Sequence, residues 1–179
     1  PEAIIPSGTY KVTGPITATS VVASGSLHIR CIGDVTIAVD AASTAFQALI
    51  VCQSTAIHNS TIKGGKLTLN LNNKCGTGIQ LSHDATSDGG LVDWDHVEVN
   101  DAKMVNIAAE ASGLAVYGRY ALLKFGTIRI DGVDRSGTGT ASKGLSINEI
   151  AGPCTIDTLH VSNVLATGFA ADADGVSIF

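Results

Sequence analysis

Eight residues of the chain have side chains suited to binding or cleaving a carbohydrate. Asp84 and Glu149 supply two carboxyl groups, the combination that glycoside hydrolysis uses as general acid and base. Planar polar groups bind sugar hydroxyls, and flat aromatic faces stack on sugar rings. We assign substrate binding to the residues with these properties, which are His83, Trp94, Tyr117, Arg119, Tyr120 and Asn148. The alternative is that these are ordinary loop residues.

An internal repeat relates these positions to one another. One set of four-residue segments has the order small, apolar, any, apolar. These segments begin at Gly78, Gly113, Gly144 and Gly175, and Ala48–Val51 is a weaker member of the set. A second set recurs at steps of 30, 31 and 31 residues: Leu67–Asn70, Val97–Asn100, Ile128–Asp131 and Leu159–Ser162. Because both sets follow one period, we expect one structural unit per repeat.

Each unit has the pattern of short β-strands. Apolar residues alternate with polar ones at period two, and the 20 glycines disfavour helices. Units of about 31 residues leave no room for crossover helices, so equivalent strands must stack as parallel sheets. We expect an all-β fold, a right-handed parallel β-helix of about five coils. Residues 1–47 would form the N-terminal segment and first coils, and 48–179 the regular coils, with the polypeptide continuing beyond Phe179.

The period also predicts which side chains share a face. The inward column begins with Ile79, Leu114, Leu145 and Val176, and the outward column is Gln80, Ala115, Ser146 and Ser177, then Ser82, Tyr117 and Asn148. Directly after these strands, successive coils carry His83 and Asp84, then Arg119 and Tyr120, then Glu149. We expect these residues to cluster within about 10–15 Å, given the spacing of strands in a sheet.

Two further features involve charged or polar residues. Asn70, Asn100, Asp131 and Ser162 should stack as a hydrogen-bonded turn, and Glu98 and Arg129 should be neighbours able to pair. The longest repeat holds an acidic cluster of Asp84, Asp88, Asp93, Asp95, Glu98 and Asp101, with Trp94 among them. For Trp94 a groove aromatic and a packed residue both remain open.

Composition excludes several classes of protein. Hydrophobic residues make up 45% of the 179 residues and charged residues 15%, which argues against disorder. A net charge of -5 argues against binding nucleic acid. No apolar run reaches the roughly 18 residues that a membrane-spanning helix needs, so we expect no membrane insertion. The five histidines lack i,i+4 pairs, and we expect neither a metal site nor a cofactor.

The low share of charged residues predicts a subunit interface. A monomer with so few charges should be poorly soluble, so partner chains should cover an apolar outer face that includes Ile50, Ala115, Phe169 and Phe179. The cysteines have no CxxC spacing and are expected to be buried free thiols at positions 31, 52, 75 and 154.

The N-terminal residues carry a resemblance to a known family. Ile4-Ile-Pro-Ser-Gly-Thr-Tyr-Lys-Val12 looks like the first motif of pectate-lyase-like β-helices, and Leu27–Ile37 resembles the coils that follow it. Together with the repeat, the chain is most similar to phage tailspikes and tail-fibre depolymerases. The resemblance implies a homotrimeric virion protein, made in the host cytoplasm, that binds bacterial surface polysaccharide. If it is an enzyme, the resemblance implies a polysaccharide depolymerase.

Two alternatives remain beside the tailspike. One is a secreted pectate-lyase-like lyase or hydrolase, since Trp94-Asp95-His96 is similar to the Trp-Ile-Asp-His motif of pectate lyases but lacks one residue. The Asn-Thr-Asp, Gly-His-Gly and Arg-Ile-Lys signatures of polygalacturonases are absent. The other is a structural or adhesin β-helix without catalysis.

Overall fold

The computed structural model describes residues 2–20, 26–54, 59–83, 88–105, 111–136, 141–166 and 172–178. Within these ranges the chain consists of β-strands joined by turns. The strands are β1 (Ala3–Val12), β2 (Ile16–Ser20), β3 (Leu27–Val39), β4 (Phe46–Ser54), β5 (Ser60–Gly64), β6 (Leu67–Asn70), β7 (Cys75–His83), β8 (Leu91–Val105), β9 (Ala111–Tyr117), β10 (Leu122–Ser136), β11 (Ala141–Asn148), β12 (Cys154–Ala166) and β13 (Asp172–Ile178). No helix in the described part is long and apolar enough to cross a membrane.

The strands alternate between two parallel sheets. The first sheet, called sheet A, has the order β1-β3-β5-β8-β10-β12, with β6 also lying between β3 and β8. The second, sheet B, has the order β2-β4-β7-β9-β11-β13. Each coil therefore adds one rung to both sheets, which is a parallel β-solenoid of about four turns with roughly 31-residue spacing. This confirms the all-β solenoid expected from the repeat.

The stacking register in sheet A follows the predicted period. Val97 pairs with Leu67 on one side and Ile128 on the other, and Ile128 pairs with Leu159. All but the last of these four side chains are fully buried. The alternation of apolar and polar residues was sufficient to align these rungs, because a one-residue slip would turn every apolar side chain outward.

The polar turn that follows these strands is also stacked as predicted. Asp131 pairs with Ser162, whose hydroxyl donates to its Oδ1 at 2.8 Å, and Nδ2 of Asn163 donates to the same oxygen at 2.7 Å. These two hydrogen bonds lower the pKa of Asp131. In three of the four coils the next residue is left-handed, with φ of 58° at Asp101, 74° at Gly132 and 54° at Asn163. Gly, Asn and Asp tolerate this conformation best, so the sequence supports a sharp bend in these three coils.

The earliest repeat of sheet B lies one residue away from its predicted register. Ile50 pairs with Ile79, so the segment equivalent to Gly78–Leu81 begins at Leu49 and not at Ala48. The shift exchanges the two faces of the strand, and Ile50 is 1% exposed within the core. The expectation that Ile50 faces a partner chain was therefore wrong.

Several side chains in the outward column of sheet B are buried, although the column was expected to lie on the surface. Ala115, Ser146 and Ser177 have exposed fractions of 2%, 0% and 5%. Ala115 is thus buried within a single chain, so it also cannot contact a partner as expected. Phe169 and Phe179, named with it, lie outside the described residues. The free thiols are confirmed, with Cys31, Cys52 and Cys75 buried and Cys154 partly so.

Candidate functional site

Three polar side chains stack at the end of sheet B. Ser82 pairs with Tyr117, and Tyr117 pairs with Asn148, as the repeat predicted. All three are half-buried, whereas Ala115 and Ser146, two residues before Tyr117 and Asn148, are buried. We call Ser82, Tyr117 and Asn148 the polar ladder. Strand rungs lie about 4.8 Å apart, so the ladder presents a hydroxyl, a phenol and an amide in one row.

Charged side chains from three turns lie beside the polar ladder. Nε of Arg119 donates to Oδ1 of Asp88 at 2.5 Å, and both side chains are about half exposed. The hydrogen bond to Asp88 and its charge, with a contribution from the charge of Glu149, raise the pKa of Arg119. We call Asp88, Arg119 and Glu149 the turn cluster. The structure thus brings the predicted Arg119 and Glu149 together and adds Asp88.

Backbone hydrogen bonds between coils fix these turns. The N–H of Gly118 donates to the carbonyl of Asn148 at 3.2 Å, and the N–H of Gly89 donates to the carbonyl of Arg119 at 2.9 Å. Glu149 has a left-handed backbone with φ of 64°, which turns the chain out of β11. The turn cluster is therefore carried on a rigid frame and not on independent loops.

His83 and Tyr120 lie behind the ladder and not on it. Tyr120 has no exposed area and His83 is 4% exposed. Their rings meet edge to face with centroids 4.6 Å apart. Burial, followed by the charge of Cys52, raises the pKa of Tyr120. In this position the two rings support the turn that carries Arg119, and neither presents a face to a ligand.

Trp94 is a core residue of sheet A. It has no exposed area, its Nε1 donates to Oγ of Ser60 at 2.9 Å, and its ring meets Phe125 edge to face at 5.3 Å. Of the two alternatives for Trp94, a groove aromatic or a packed residue, the structure shows the packed residue. The sequence contains the signal for this, because Trp94 alternates with Asp93 and Asp95.

Asp84 lies outside the described residues. The proposed carboxylate pair of Asp84 and Glu149 therefore stays a prediction. Of its two members, Glu149 is exposed at the end of β11 and belongs to the turn cluster.

The acidic cluster of the longest repeat is divided between two places. Asp88 belongs to the turn cluster, whereas Asp93 and Asp95 lie on the outer face of sheet A. There Nζ of Lys63 lies 2.8 Å from Asp93 and 2.7 Å from Asp95. The N–H of Gly64 also donates to Asp95, at 3.0 Å.

The charges on this face shift one another's pKa values. Burial acts to raise the pKa of Asp95, but the hydrogen bonds from Lys63 and Gly64, with the charges of Lys63 and Lys124, outweigh burial and lower it. Burial likewise acts to lower the pKa of Lys63, but the hydrogen bonds and charges of Asp93 and Asp95 outweigh burial, so the pKa of Lys63 is raised. Sequence reasoning missed Lys63 as the partner of these carboxylates, although Lys63 lies one repeat before Asp95 in the sequence and the period places the two side by side.

Glu98 finds a different partner from the one expected. It stands beside Arg129 in the sheet register, as predicted. Its carboxylate, however, lies 3.4 Å from Nζ of Lys66 and 3.3 Å from Nε2 of His96. Burial acts to raise the pKa of Glu98, but the charges and hydrogen bonds of Lys66 and His96 outweigh it and lower the pKa.

An apolar cavity of about 380 Å³ lies far from the polar ladder, among the first strands of both sheets. Its walls include Ile5, Ile16, Leu27, Ile29, Ile37 and Ile50. None of the residues assigned to catalysis or binding lines it. Among the described side chains, no group of three or more His, Cys, Asp or Glu is placed to hold a metal ion.

The chain was compared with known proteins at the level of families, single sequences and structures. No family model, no curated protein and no solved structure matches it with significance. The function must therefore be inferred from the geometry of the chain itself.

Proposed function

We propose that this chain is a segment of a phage tailspike or tail fibre that binds bacterial surface polysaccharide along the polar ladder. The observation that supports this most strongly is the register of Ser82, Tyr117 and Asn148, half-buried in a row beside the turn cluster. In this proposal the protein belongs to the virion and acts as a homotrimer. Light scattering that finds a monodisperse monomer would contradict the trimer.

The ladder has the chemistry that a sugar requires. Tyr117 offers an aromatic face and a phenol, and the amide nitrogen of Asn148 is a hydrogen-bond donor, while its Oδ1 is buried within the chain. Arg119 and Glu149 add a donor and an acceptor at the edge of the ladder. Because these groups stand on strands and turns joined by backbone hydrogen bonds, little loop entropy is lost on binding, which favours affinity.

Cleavage would extend this proposal through the predicted carboxylate pair. Glu149 and Asp84 would act as general acid and base on a bound glycosidic bond. The test is depolymerisation of a bound polysaccharide by the wild type and by Asp84→Asn and Glu149→Gln variants. Undiminished depolymerisation by both variants would refute the assignment of Asp84 and Glu149 as general acid and base. If the wild type binds the polysaccharide without cleaving it, the chain is a binding module.

The binding proposal is tested with an array of purified bacterial surface polysaccharides. The Tyr117→Ala variant should lose about 2- to 12-fold in affinity, the factor equivalent to an aromatic contact of about 0.5–1.5 kcal/mol. Tyr10→Ala is the matched control, because Tyr10 is an exposed tyrosine on sheet A. Equal affinities for both variants, or no polysaccharide bound by the wild type, would refute the proposal.

A further inference from the structure

The charged residues beside the polar ladder are few and unequal in sign. The described turns at this end of sheet B are 88–90, 118–121 and 149–153, and their charged side chains are Asp88, Arg119 and Glu149. Two carboxylates and one guanidinium therefore leave these turns with one excess negative charge. The local excess has the same sign as the net charge of the chain, which is -5.

Arg119 is already paired with one of these carboxylates. Its Nε donates to Asp88 at 2.5 Å, and the charge of Glu149 acts on the same guanidinium. A carboxylate or phosphate on a sugar would have to share the positive charge of Arg119 with Asp88. It would also approach Glu149 well within the screening length of about 8 Å at physiological salt, where like charges repel.

Neutral sugars meet no such obstacle. A sugar hydroxyl can donate to the carboxylate of Glu149 or Asp88 and accept from Arg119 or Asn148, whereas a sugar carboxylate can only accept. From this chemistry we infer that the polar ladder takes polysaccharides whose repeat unit is uncharged and excludes polyuronates and other anionic glycans. The inference rests on the proposed function, whose binding site it specifies.

The same array tests this inference when its polysaccharides are sorted by the charge of the repeat unit. The wild type should bind members of the neutral set, lose that binding in Tyr117→Ala, and change in affinity by less than about two-fold between low and physiological salt, because no opposite charges attract. The double variant Asp88→Asn, Glu149→Gln changes the charge of the turn cluster from negative to positive. Its affinity for polygalacturonate should rise at least ten-fold above that of the wild type.

A matched control separates the local charge from the net charge of the protein. Asp34 and Asp157 are exposed carboxylates on sheet A, and the double variant Asp34→Asn, Asp157→Asn, which changes the net charge by the same amount, should leave polygalacturonate binding unchanged. Preferential binding of anionic glycans by the wild type, with Tyr117 still required, would overturn this inference and leave the proposed function standing. A double variant without the ten-fold rise would also overturn it. If the wild type bound neither class, both the inference and the proposed function would fail.

Discussion

Gly113 marks a point in β9 where the backbone passes so close to the interior that a methyl group has no room. A Cβ at position 113 would meet Cγ2 of Ile130 well inside contact distance and lie 2.8 Å from the carbonyl oxygen of Gly144. Ile130 is fully buried, and its β-branched side chain cannot turn away without leaving its preferred rotamer. The Gly113→Ala variant should therefore strain the packing between the two sheets.

The expected cost follows from the size of the added group. Inserting one methyl into a filled core destabilises by about 1–3 kcal/mol. For a chain of this length, such a loss lowers the melting temperature by about 2–12 °C. Urea unfolding followed by circular dichroism gives the free energy of unfolding, and calorimetry gives the melting temperature.

Gly175 offers a matched control from the same column of the repeat. A Cβ at this position would find its nearest neighbour, Cγ1 of Val161, at 4.0 Å. Gly175→Ala should be neutral or stabilise by about 0.4–1 kcal/mol, because alanine restricts the unfolded chain. A Gly113→Ala variant as stable as the wild type, or equal destabilisation by both substitutions, would refute the packing described for β9.

Three further predictions concern sheet A. Trp94→Phe leaves the buried hydroxyl of Ser60 without its partner and should cost about 1–3 kcal/mol in urea unfolding followed by circular dichroism. Acid should destabilise the fold, because the pKa values of Asp95 and Glu98 are lower in the folded chain than their ordinary values of 3.8 and 4.5. The stability that these carboxylates contribute is complete above the ordinary values and is lost as pH falls through the folded values. Melting temperatures measured at a series of pH values test this. Lys63→Met should raise the pKa of Asp95, which carboxyl NMR titration would detect, with a loss of stability of at most about 1 kcal/mol because the pair is partly exposed.

Each of these predictions has an outcome that contradicts it. Unchanged stability of Trp94→Phe would mean that the indole hydrogen bond to Ser60 is not formed. A melting temperature that stays constant or rises between pH 5 and pH 3 would contradict the ion pairs of sheet A. If Lys63→Met leaves the pKa of the Asp95 carboxyl unchanged, Lys63 does not contact that carboxyl.

Regular alternation made most of the solenoid predictable from sequence. Polar residues flank each apolar residue in Val97–Asn100 and in its equivalents, so only one register turns them all towards the interior. The prediction failed at Ala48–Val51, where a run of consecutive apolar residues has no polar residue to fix the register. The small side chain of Ala48 was matched to Gly78, although the chain stacks Ile50 on Ile79.

The site was predictable only in part, because the period orders residues along strands and says little about turns. It placed Tyr117 beside Asn148 and brought Arg119 near Glu149. It could not show that Tyr120, one residue after Arg119, turns into the core. The direction of a side chain in a turn depends on backbone angles that the repeat does not encode.

A crystal structure of a complex tests most directly whether the polar ladder binds sugar. The protein would be crystallised with the repeat-unit oligosaccharide of its strongest array ligand. We expect a sugar ring stacked on Tyr117, with hydroxyls in hydrogen-bond distance of Asn148 and Glu149. Oligosaccharide bound on the outer face of sheet A, with the polar ladder in contact with solvent alone, would contradict sugar binding by the ladder.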